Sequence, residues 1–270
     1  MHLPPPAPPV APCKICGEPA PFFGMADFNR ACLSSVQASI GTYGFAIYYR
    51  RCPACEFLFT DAFDQWSPED FRTYIYNSDY ARLDPEYAKQ RPAGNAEFMA
   101  QLFGAHKDTL RLLDFGGGNG HFAELLRGAG FARCDTYDPF TPGFDTPPNG
   151  TYSLITCFET MEHTPDPGGC VGAILERLAE DGVVVFSTLL QPDDFAKHGM
   201  AWWYIGPRNG HISLHSKKSL EVLWDRHGCV VESVNEGVHM ASRRGASERL
   251  RPGGAADGGG ERGASPPDGS

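Results

Sequence analysis

Apolar residues recur along this chain in runs and at spacings that predict alternating strands and helices. Three runs with few polar interruptions are typical of strands buried on both faces of a parallel sheet, and lie at residues 110–115, 152–158 and 182–188. Residues 132–137 form a further short strand candidate. Shorter runs at 45–50 and 57–60 predict two further strands. Helical spacing predicts helices at 92–106, around 171–178 and at 217–227.

The end of the periodic region predicts a hairpin. Strand-like runs at 229–233 and 238–241 flank a turn that ends in Gly237, as in an antiparallel pair. Residues 139–150 are rich in proline and glycine, so we expect no regular helix there. Strands that alternate with helices and end in a hairpin indicate an α/β fold.

A glycine-rich turn follows the strand at 110–115. Its glycines are Gly116, Gly117, Gly118 and Gly120, and residues at helical spacing come next. Such a turn lets a ligand approach the backbone, and the helix N-terminus offers free N–H groups. The dinucleotide fingerprint G-x-G-x-x-G fails because His121 occupies its last position, and a P-loop fails because no lysine follows Gly120.

The pattern Asp114-x-Gly116-x-Gly118-x-Gly120 resembles the first motif of class I S-adenosylmethionine (SAM) methyltransferases. The resemblance runs to about residue 241 and implies a Rossmann-like, mostly parallel sheet with a closing antiparallel hairpin. Asp138, at the end of the next strand, matches the acid that binds the ribose hydroxyls, or is a turn former before Pro139. The resemblance implies these SAM-binding residues: Asp114, Gly116, Gly117, Gly118, Gly120, Asp138, Phe158 and Glu159.

The composition argues against two classes of function, nucleic-acid binding and membrane association. The 270 residues carry a formal charge of −10 without a sustained Lys/Arg run, so nucleic acid is a poor partner. No apolar run approaches the roughly 20 residues that span a bilayer, so we expect no membrane association. The proline-rich start lacks the features of a signal peptide, which favours a cytoplasmic location with reduced thiols.

Four of the nine cysteines form two C-x2-C pairs, Cys13/Cys16 and Cys52/Cys55, with 35 residues between the pairs. Each pair can place two thiolates on one tight turn, and four thiolates form the closed tetrahedral shell of a structural Zn²⁺. The alternative is redox or incidental cysteines. Cys32 is either a substitute ligand or an ordinary buried residue.

A zinc-binding segment, a tyrosine-rich stretch at 74–80 and then a SAM domain resemble the deoxysugar C-methyltransferases. The resemblance implies that Tyr76 reaches the substrate pocket, and the alternative is that these tyrosines only cover the domain junction. It also places a histidine base at His211, although Gly210 stands where that family has glutamate.

The segment at 191–216 is rich in aromatic residues and histidines and follows a sheet strand, so we expect it to line a small-molecule pocket. His is the usual general base near neutral pH, which makes His211, His215 and His163 the candidates. We take His211 as the base with Tyr76 near the acceptor, and His163, after Glu162, as the fallback.

The sequence thus predicts a disordered N-terminus at 1–12, a zinc-binding module with linker at 13–90, a SAM-dependent methyltransferase domain at 91–241 and a disordered tail at 242–270. The predicted activity is methyl transfer from SAM to a small molecule, with sugars among the acceptors. Two alternatives are open: an O-methyltransferase of a phenolic or carboxylic metabolite, and a zinc-module interaction protein with a non-catalytic SAM-binding domain.

Overall fold

A computed structural model describes residues 10–86 and 89–246 of the chain. Most of the two segments predicted to be disordered, at 1–9 and 247–270, lies outside the described residues. The strands are β1 (Val10–Pro12), β2 (Pro19–Asp27), β3 (Ala46–Arg51), β4 (Leu58–Phe59), β5 (Arg111–Phe115), β6 (Arg133–Tyr137), β7 (Tyr152–Cys157), β8 (Leu178–Ser187), β9 (Ser213–Leu214), β10 (Cys229–Ser233) and β11 (Val238–Arg243). The α-helices are α1 (Ser34–Ile40), α2 (Pro68–Tyr74), α3 (Tyr80–Leu83), α4 (Gln90–Phe103), α5 (His121–Gly128), α6 (Pro167–Leu175), α7 (Phe195–His198) and α8 (Lys217–Arg226).

The predicted α/β fold is confirmed by a six-stranded sheet in the order β10-β11-β8-β7-β5-β6. β5 pairs in parallel with β6 and β7, and β7 pairs in parallel with β8. β11 lies antiparallel between β8 and β10, which confirms the closing hairpin. Residues 138–151, all described, form turns as their composition predicted.

Both faces of this sheet are buried. Leu112 and Leu154 pack in one cluster with residues of α4 and α5. Their neighbours Leu113 and Ile155 point the other way and pack in a second cluster with residues of α6 and α8. Successive residues of a strand face opposite sides, so the near-continuous apolar runs read from the sequence are explained by helices on both faces.

The boundaries of two predicted segments differ from those in the structure. The helix expected around 171–178 ends at Leu175, and Leu178 instead begins β8, paired with Tyr152. Val10–Pro12 and residues 242–243, assigned to disordered ends, form β1 and the last residues of β11. In each place pairing with another strand decides the conformation, and periodicity does not report such a partner.

A second, five-stranded antiparallel sheet has the order β1-β2-β3-β4-β9. Its last strand comes from the segment after β8, so the pairing of Leu58 with Leu214 crosses the boundary drawn at residue 90. The sequence reading missed β2, because much of it is exposed and its polarity does not alternate. Among the described helices, none is long and apolar enough to cross a membrane.

Candidate functional site

A cavity of about 670 Å³ lies at the carboxyl edge of the parallel strands. Open α/β sheets bind ligands at this edge. The turns after β5, β6 and β7 form one wall, and the segment from α2 to the start of α4 forms the opposite wall. Among the predicted SAM-binding residues, seven line the cavity: Asp114, Gly116, Gly117, Gly118, Asp138, Phe158 and Glu159.

Two glycines of the turn leave no room for a side chain. A Cβ on Gly116, whose φ is 77°, would lie 2.2 Å from Thr160 Oγ1, and one on Gly117 would lie 2.1 Å from Asp114 Oδ2. Gly120 adopts φ 78° and precedes α5. Gly116, Gly117 and Gly118 line the cavity, where the absence of side chains lets a ligand approach the backbone.

Asp114, at the end of β5, is buried on the cavity wall. Its Oδ1 accepts a hydrogen bond from Thr156 Oγ1 at 3.2 Å, and its Oδ2 has no partner among the described residues. Burial raises the pKa of this carboxyl to about 7. An unpaired buried acceptor beside a cavity is a place for a cationic hydrogen-bond donor, and the ammonium of SAM fits that requirement.

Asp138 lies at the end of β6 and is also buried. Its Oδ2 accepts the N–H of Gly118 at 3.0 Å, and its Oδ1 accepts the N–H of Phe140 at 2.8 Å. The bond from Phe140 forms the turn before which Asp138 was alternatively expected to act. The bond from Gly118 holds the glycine turn in place. A carboxylate oxygen has a further lone pair, so both oxygens can still accept ribose hydroxyls.

Glu159 connects the two walls. Its Oε2 pairs with Arg91 Nη1 at 2.8 Å, and its Oε1 accepts the hydroxyl of Ser187 at 3.0 Å. Arg91 also pairs with Asp84. Burial raises the pKa of Glu159 to about 7. The sequence analysis missed Arg91 and Asp84. The partner that brings Arg91 to the cavity is Glu159, 68 positions further along, and no local pattern reports such a pair.

Glu162 and His163 lie in a short 3₁₀ helix, Met161–His163, after β7. His163 lines the cavity, whereas Glu162 is fully buried behind it. The His163 Nδ1 lies 3.1 Å from the carbonyl of Gly210, so Nδ1 carries the proton and Nε2 presents a lone pair. Burial lowers the pKa of His163 to about 4, which keeps the ring neutral.

His211, the predicted base, does not line the cavity. It is buried with its ring centroid 5.0 Å from that of His163, and its Nδ1 lies 2.9 Å from the carbonyl of Tyr204. Burial lowers its pKa to about 3. His215, the third candidate, is buried against Phe57. The expectation that 191–216 lines the pocket fails, because its aromatic residues Trp202 and Tyr204 pack in the core behind the wall.

Tyr76 lines the cavity. Its ring lies 5.5 Å from Phe140 and 6.0 Å from His163. Burial raises its pKa, so the phenol is neutral. A Cβ on Gly210 would lie 2.9 Å from His163 Nδ1 and 3.3 Å from Tyr76 Oη, which explains why no glutamate stands there.

The four predicted zinc ligands come together. The ligand atoms of Cys13, Cys16, Cys52 and Cys55 all lie within 4.8 Å of one another. The Sγ atoms of Cys13 and Cys55 are 3.5 Å apart and those of Cys16 and Cys52 are 3.4 Å apart, far beyond a disulfide bond but suited to two edges of a tetrahedron. The hydrogen bond between Cys13 and Cys55 lowers the pKa of the Cys13 thiol and raises that of Cys55.

Cys32 lies apart from the four-cysteine cluster. Its Sγ is 3.3 Å from His211 Nδ1, and burial raises its pKa to about 12. It is therefore the ordinary buried thiol of the two readings, packed behind the histidine pair rather than poised to ligate zinc.

Comparison with known proteins identifies relatives of part of the chain. The model of the family described as "Methyltransferase domain" matches residues 87–234, more than half of the chain. A curated ubiquinone biosynthesis O-methyltransferase of Burkholderia ambifaria is 48% identical over 40 residues, which is 15% of this chain and 17% of that protein. One from Psychrobacter cryohalolentis is 45% identical over 40 residues, 15% of this chain and 16% of that protein. This chain thus matches only a small part of these relatives.

Solved structures show a distant likeness. Magnesium protoporphyrin IX methyltransferase from Synechocystis PCC 6803 with bound SAH matches with a TM-score of 0.49 at 12% identity, over 66% of this chain and 100% of that chain. The pyocyanin biosynthetic protein PhzM matches with a TM-score of 0.49 at 16% identity, over 64% of this chain and 61% of that chain.

Proposed function

Because the chain belongs to the class I SAM-dependent methyltransferases, we propose that it transfers the methyl group of SAM to a hydroxyl of a small phenolic molecule. One observation carries the proposal. A single cavity holds the glycine turn with Asp114 and Asp138 at one side and the neutral His163 beside aromatic rings at the other. A methyl donor and a small acceptor need such a shared space.

The donor side of the cavity positions SAM. Asp138, held by two backbone N–H groups, would accept the ribose hydroxyls, and the unpaired Oδ2 of Asp114 would accept the ammonium. SAM supplies an electrophilic methyl group on a sulfonium, which is already a good leaving group. The remaining task of the protein is to align the acceptor oxygen and to receive its proton.

We assign the proton acceptor to His163 rather than His211. His163 lies on the cavity wall with Nδ1 bonded to Gly210, so the Nε2 lone pair is the one available to an acceptor hydroxyl. His211 lies behind it and supports its ring. The O–H bond of the acceptor breaks and its proton moves to His163 Nε2. The oxygen forms the new bond to the methyl carbon while the methyl–sulfur bond of SAM breaks, and S-adenosylhomocysteine leaves as the neutral thioether.

The wall around His163 favours an uncharged aromatic acceptor over an anionic nucleotide sugar. Tyr76 and Phe140 offer ring faces to a planar acceptor. Both arginines of the wall already pair with carboxylates, Arg72 with Glu69 at 2.8 Å and Arg91 with Glu159. A phosphate group would have to displace these pairs. The curated relatives are O-methyltransferases by name, which supports oxygen as the acceptor atom.

We also propose that Cys13, Cys16, Cys52 and Cys55 hold one structural Zn²⁺. The ion would join the turn before β2 to the turn between β3 and β4. Four thiolates leave no open coordination position, so the ion has no part in methyl transfer.

Methyl transfer from labelled SAM to a panel of catechols, hydroxybenzoates and nucleotide-linked deoxysugars, with product masses, tests the activity. His163→Asn should lower single-turnover transfer by roughly 10²–10⁴ and leave SAM affinity nearly unchanged. His198→Asn, at an exposed site, is the matched control. Because the pKa of His163 is about 4, the wild-type rate should show no inflection near the ordinary histidine value of 6.5.

Two outcomes contradict the proposal. Equal transfer rates in His163→Asn and wild type would remove His163 from the reaction. Tight SAM binding without transfer to any acceptor of the panel or to a cell extract would favour the interaction-protein alternative. Transfer to a sugar carbon would restore the deoxysugar assignment in place of the phenol.

A further inference from the structure

We propose that Glu162, His163 and His211 bind a divalent transition-metal ion at the wall of the cavity. One ligand atom of each residue lies within 4.8 Å of the other two, close enough for a single ion to reach all three after small side-chain adjustments. The site is separate from the four-cysteine cluster. Metal binding by these residues is inferred from their geometry alone. Only the effect of the ion on the reaction rests on the proposed methyl transfer.

The histidines are prepared as ligands. Each donates Nδ1–H to a backbone carbonyl, His163 to Gly210 at 3.1 Å and His211 to Tyr204 at 2.9 Å. The proton of each neutral ring is thereby fixed on Nδ1, and the Nε2 lone pairs are left to bind. Metal-binding histidines have this arrangement, in which one nitrogen ligates and the other donates to a carbonyl or carboxylate.

The carboxylate lacks a counter-charge. Glu162 is fully buried, and its Oε1 accepts the hydroxyl of Tyr204 at 2.6 Å. Its Oε2 has no hydrogen-bond partner of normal geometry in the described part of the chain. Burying an ionised carboxylate without a cation is costly, and the guanidinium of Arg91 is already shared by Asp84 and Glu159. A bound cation would complete this cluster.

The donor set indicates the kind of ion. Two imidazoles and one carboxylate suit Zn²⁺, Fe²⁺, Co²⁺ or Ni²⁺, whereas Mg²⁺ prefers oxygen ligands. Three protein ligands leave at least one coordination position open, unlike the closed set of four thiolates. His163 belongs to the cavity wall, so the open position is available to an acceptor hydroxyl.

The ion would change how the acceptor loses its proton. With an ion bound, the His163 lone pair would ligate the ion and would no longer receive the proton. The positive charge would instead lower the pKa of the acceptor hydroxyl, which would release its proton to water. The oxygen then attacks the methyl carbon as before.

The test uses the full-length protein, treated with EDTA, with its residual zinc quantified and Co²⁺ then titrated by calorimetry. Wild type should bind one more Co²⁺ per chain than Glu162→Gln or His211→Asn. The affinity of each variant for this Co²⁺ ion should fall at least about 100-fold. Loss of a residue that only hydrogen-bonds to a metal ligand has a smaller effect. Mg²⁺ should bind more weakly than Co²⁺. His198→Asn, a histidine outside the cluster, should bind as wild type does.

Glu162→Gln keeps the size of the side chain, so it separates loss of the ion from loss of folding. Co²⁺ should raise the melting temperature of wild type and leave that of Glu162→Gln unchanged. Equal Co²⁺ binding by wild type and both variants, or no Co²⁺ beyond the cysteine site, overturns the inference. Full methyl transfer by metal-stripped protein overturns the role of the ion and leaves the methyltransferase intact. Co²⁺ binding in a protein that does not bind SAM would contradict the proposed function instead.

Discussion

The two sheets of this protein place different chemistry at their ends. In the six-stranded sheet, β5, β6, β7 and β8 follow one another along the chain, and both faces are covered by helices. In the five-stranded sheet, β9 joins strands that lie more than 150 residues earlier, and part of one face is open, with Phe22 47% and Met25 61% exposed. The first sheet presents carboxylates at its edge, whereas the second presents thiolates.

The two sheets also differ in how much of their faces is covered, and this indicates what stabilises each of them. A sheet buried on both faces is held by apolar packing and can leave a glycine turn and an unpaired carboxylate oxygen, Oδ2 of Asp114, at the ends of its strands. A sheet with an open face buries less apolar surface, and small cores of this kind commonly rely on a metal. We therefore expect a metal in the four-cysteine cluster to stabilise the five-stranded sheet, against which Tyr76 packs.

The largest expected effect concerns the cysteine cluster. Cys52→Ser should lower the zinc content by about one ion per chain, because three thiolates bind the ion much more weakly than four. The melting temperature should fall by roughly 5–15 °C, as a loss of several kcal/mol implies. Elemental analysis and calorimetry measure both. Cys134→Ser, at a buried cysteine of the other sheet, should keep its zinc. Unaltered melting in a zinc-free Cys52→Ser protein would contradict the comparison.

A smaller effect is expected where the two sheets meet. The buried amide of Gln191 donates from Nε2 to the carbonyls of Glu56, at 2.8 Å, and Leu214, at 2.9 Å. Gln191→Leu removes this donor from both carbonyls and should lower the free energy of unfolding by about 1–3 kcal/mol. Urea denaturation measures it, with Gln101→Leu on the exposed face of α4 as the control. Equal stability of the two variants would mean that the joint contributes little.

The smallest effect is expected at the edge of the six-stranded sheet. Asp138→Ala removes the acceptor for the ribose hydroxyls and releases the N–H of Gly118, so SAM affinity should fall at least tenfold, about 1.4 kcal/mol. Calorimetric titration with SAM measures the loss. Asp135→Ala, on the same strand and 47% exposed, should bind SAM normally. Unchanged affinity in Asp138→Ala would leave Asp138 as a turn former alone.

The sequence by itself determined the features whose signals are local. A buried parallel strand, a glycine turn and a helix are each recognisable within a few residues, and so are two C-x2-C pairs. The order of strands predicted the six-stranded sheet with its hairpin, and it placed Asp114 and Asp138 at strand ends that a parallel sheet brings to one edge. Backbone geometry carries these inferences, so they need no knowledge of distant partners.

Only the tertiary structure decided which histidine meets the cavity. Glu162 and His163 come from the turn after β7, and His211 comes from a segment 48 positions further along, so no periodicity reports that they share a cluster. Contacts with Tyr204 hold His211 in the core, and a hydrogen bond to the carbonyl of Gly210 holds His163 at the cavity wall. The addition of β9 to the antiparallel sheet is a non-local choice of the same kind. Burial and pairing across the chain fix such features, because they depend on the summed packing of many residues rather than on a local pattern.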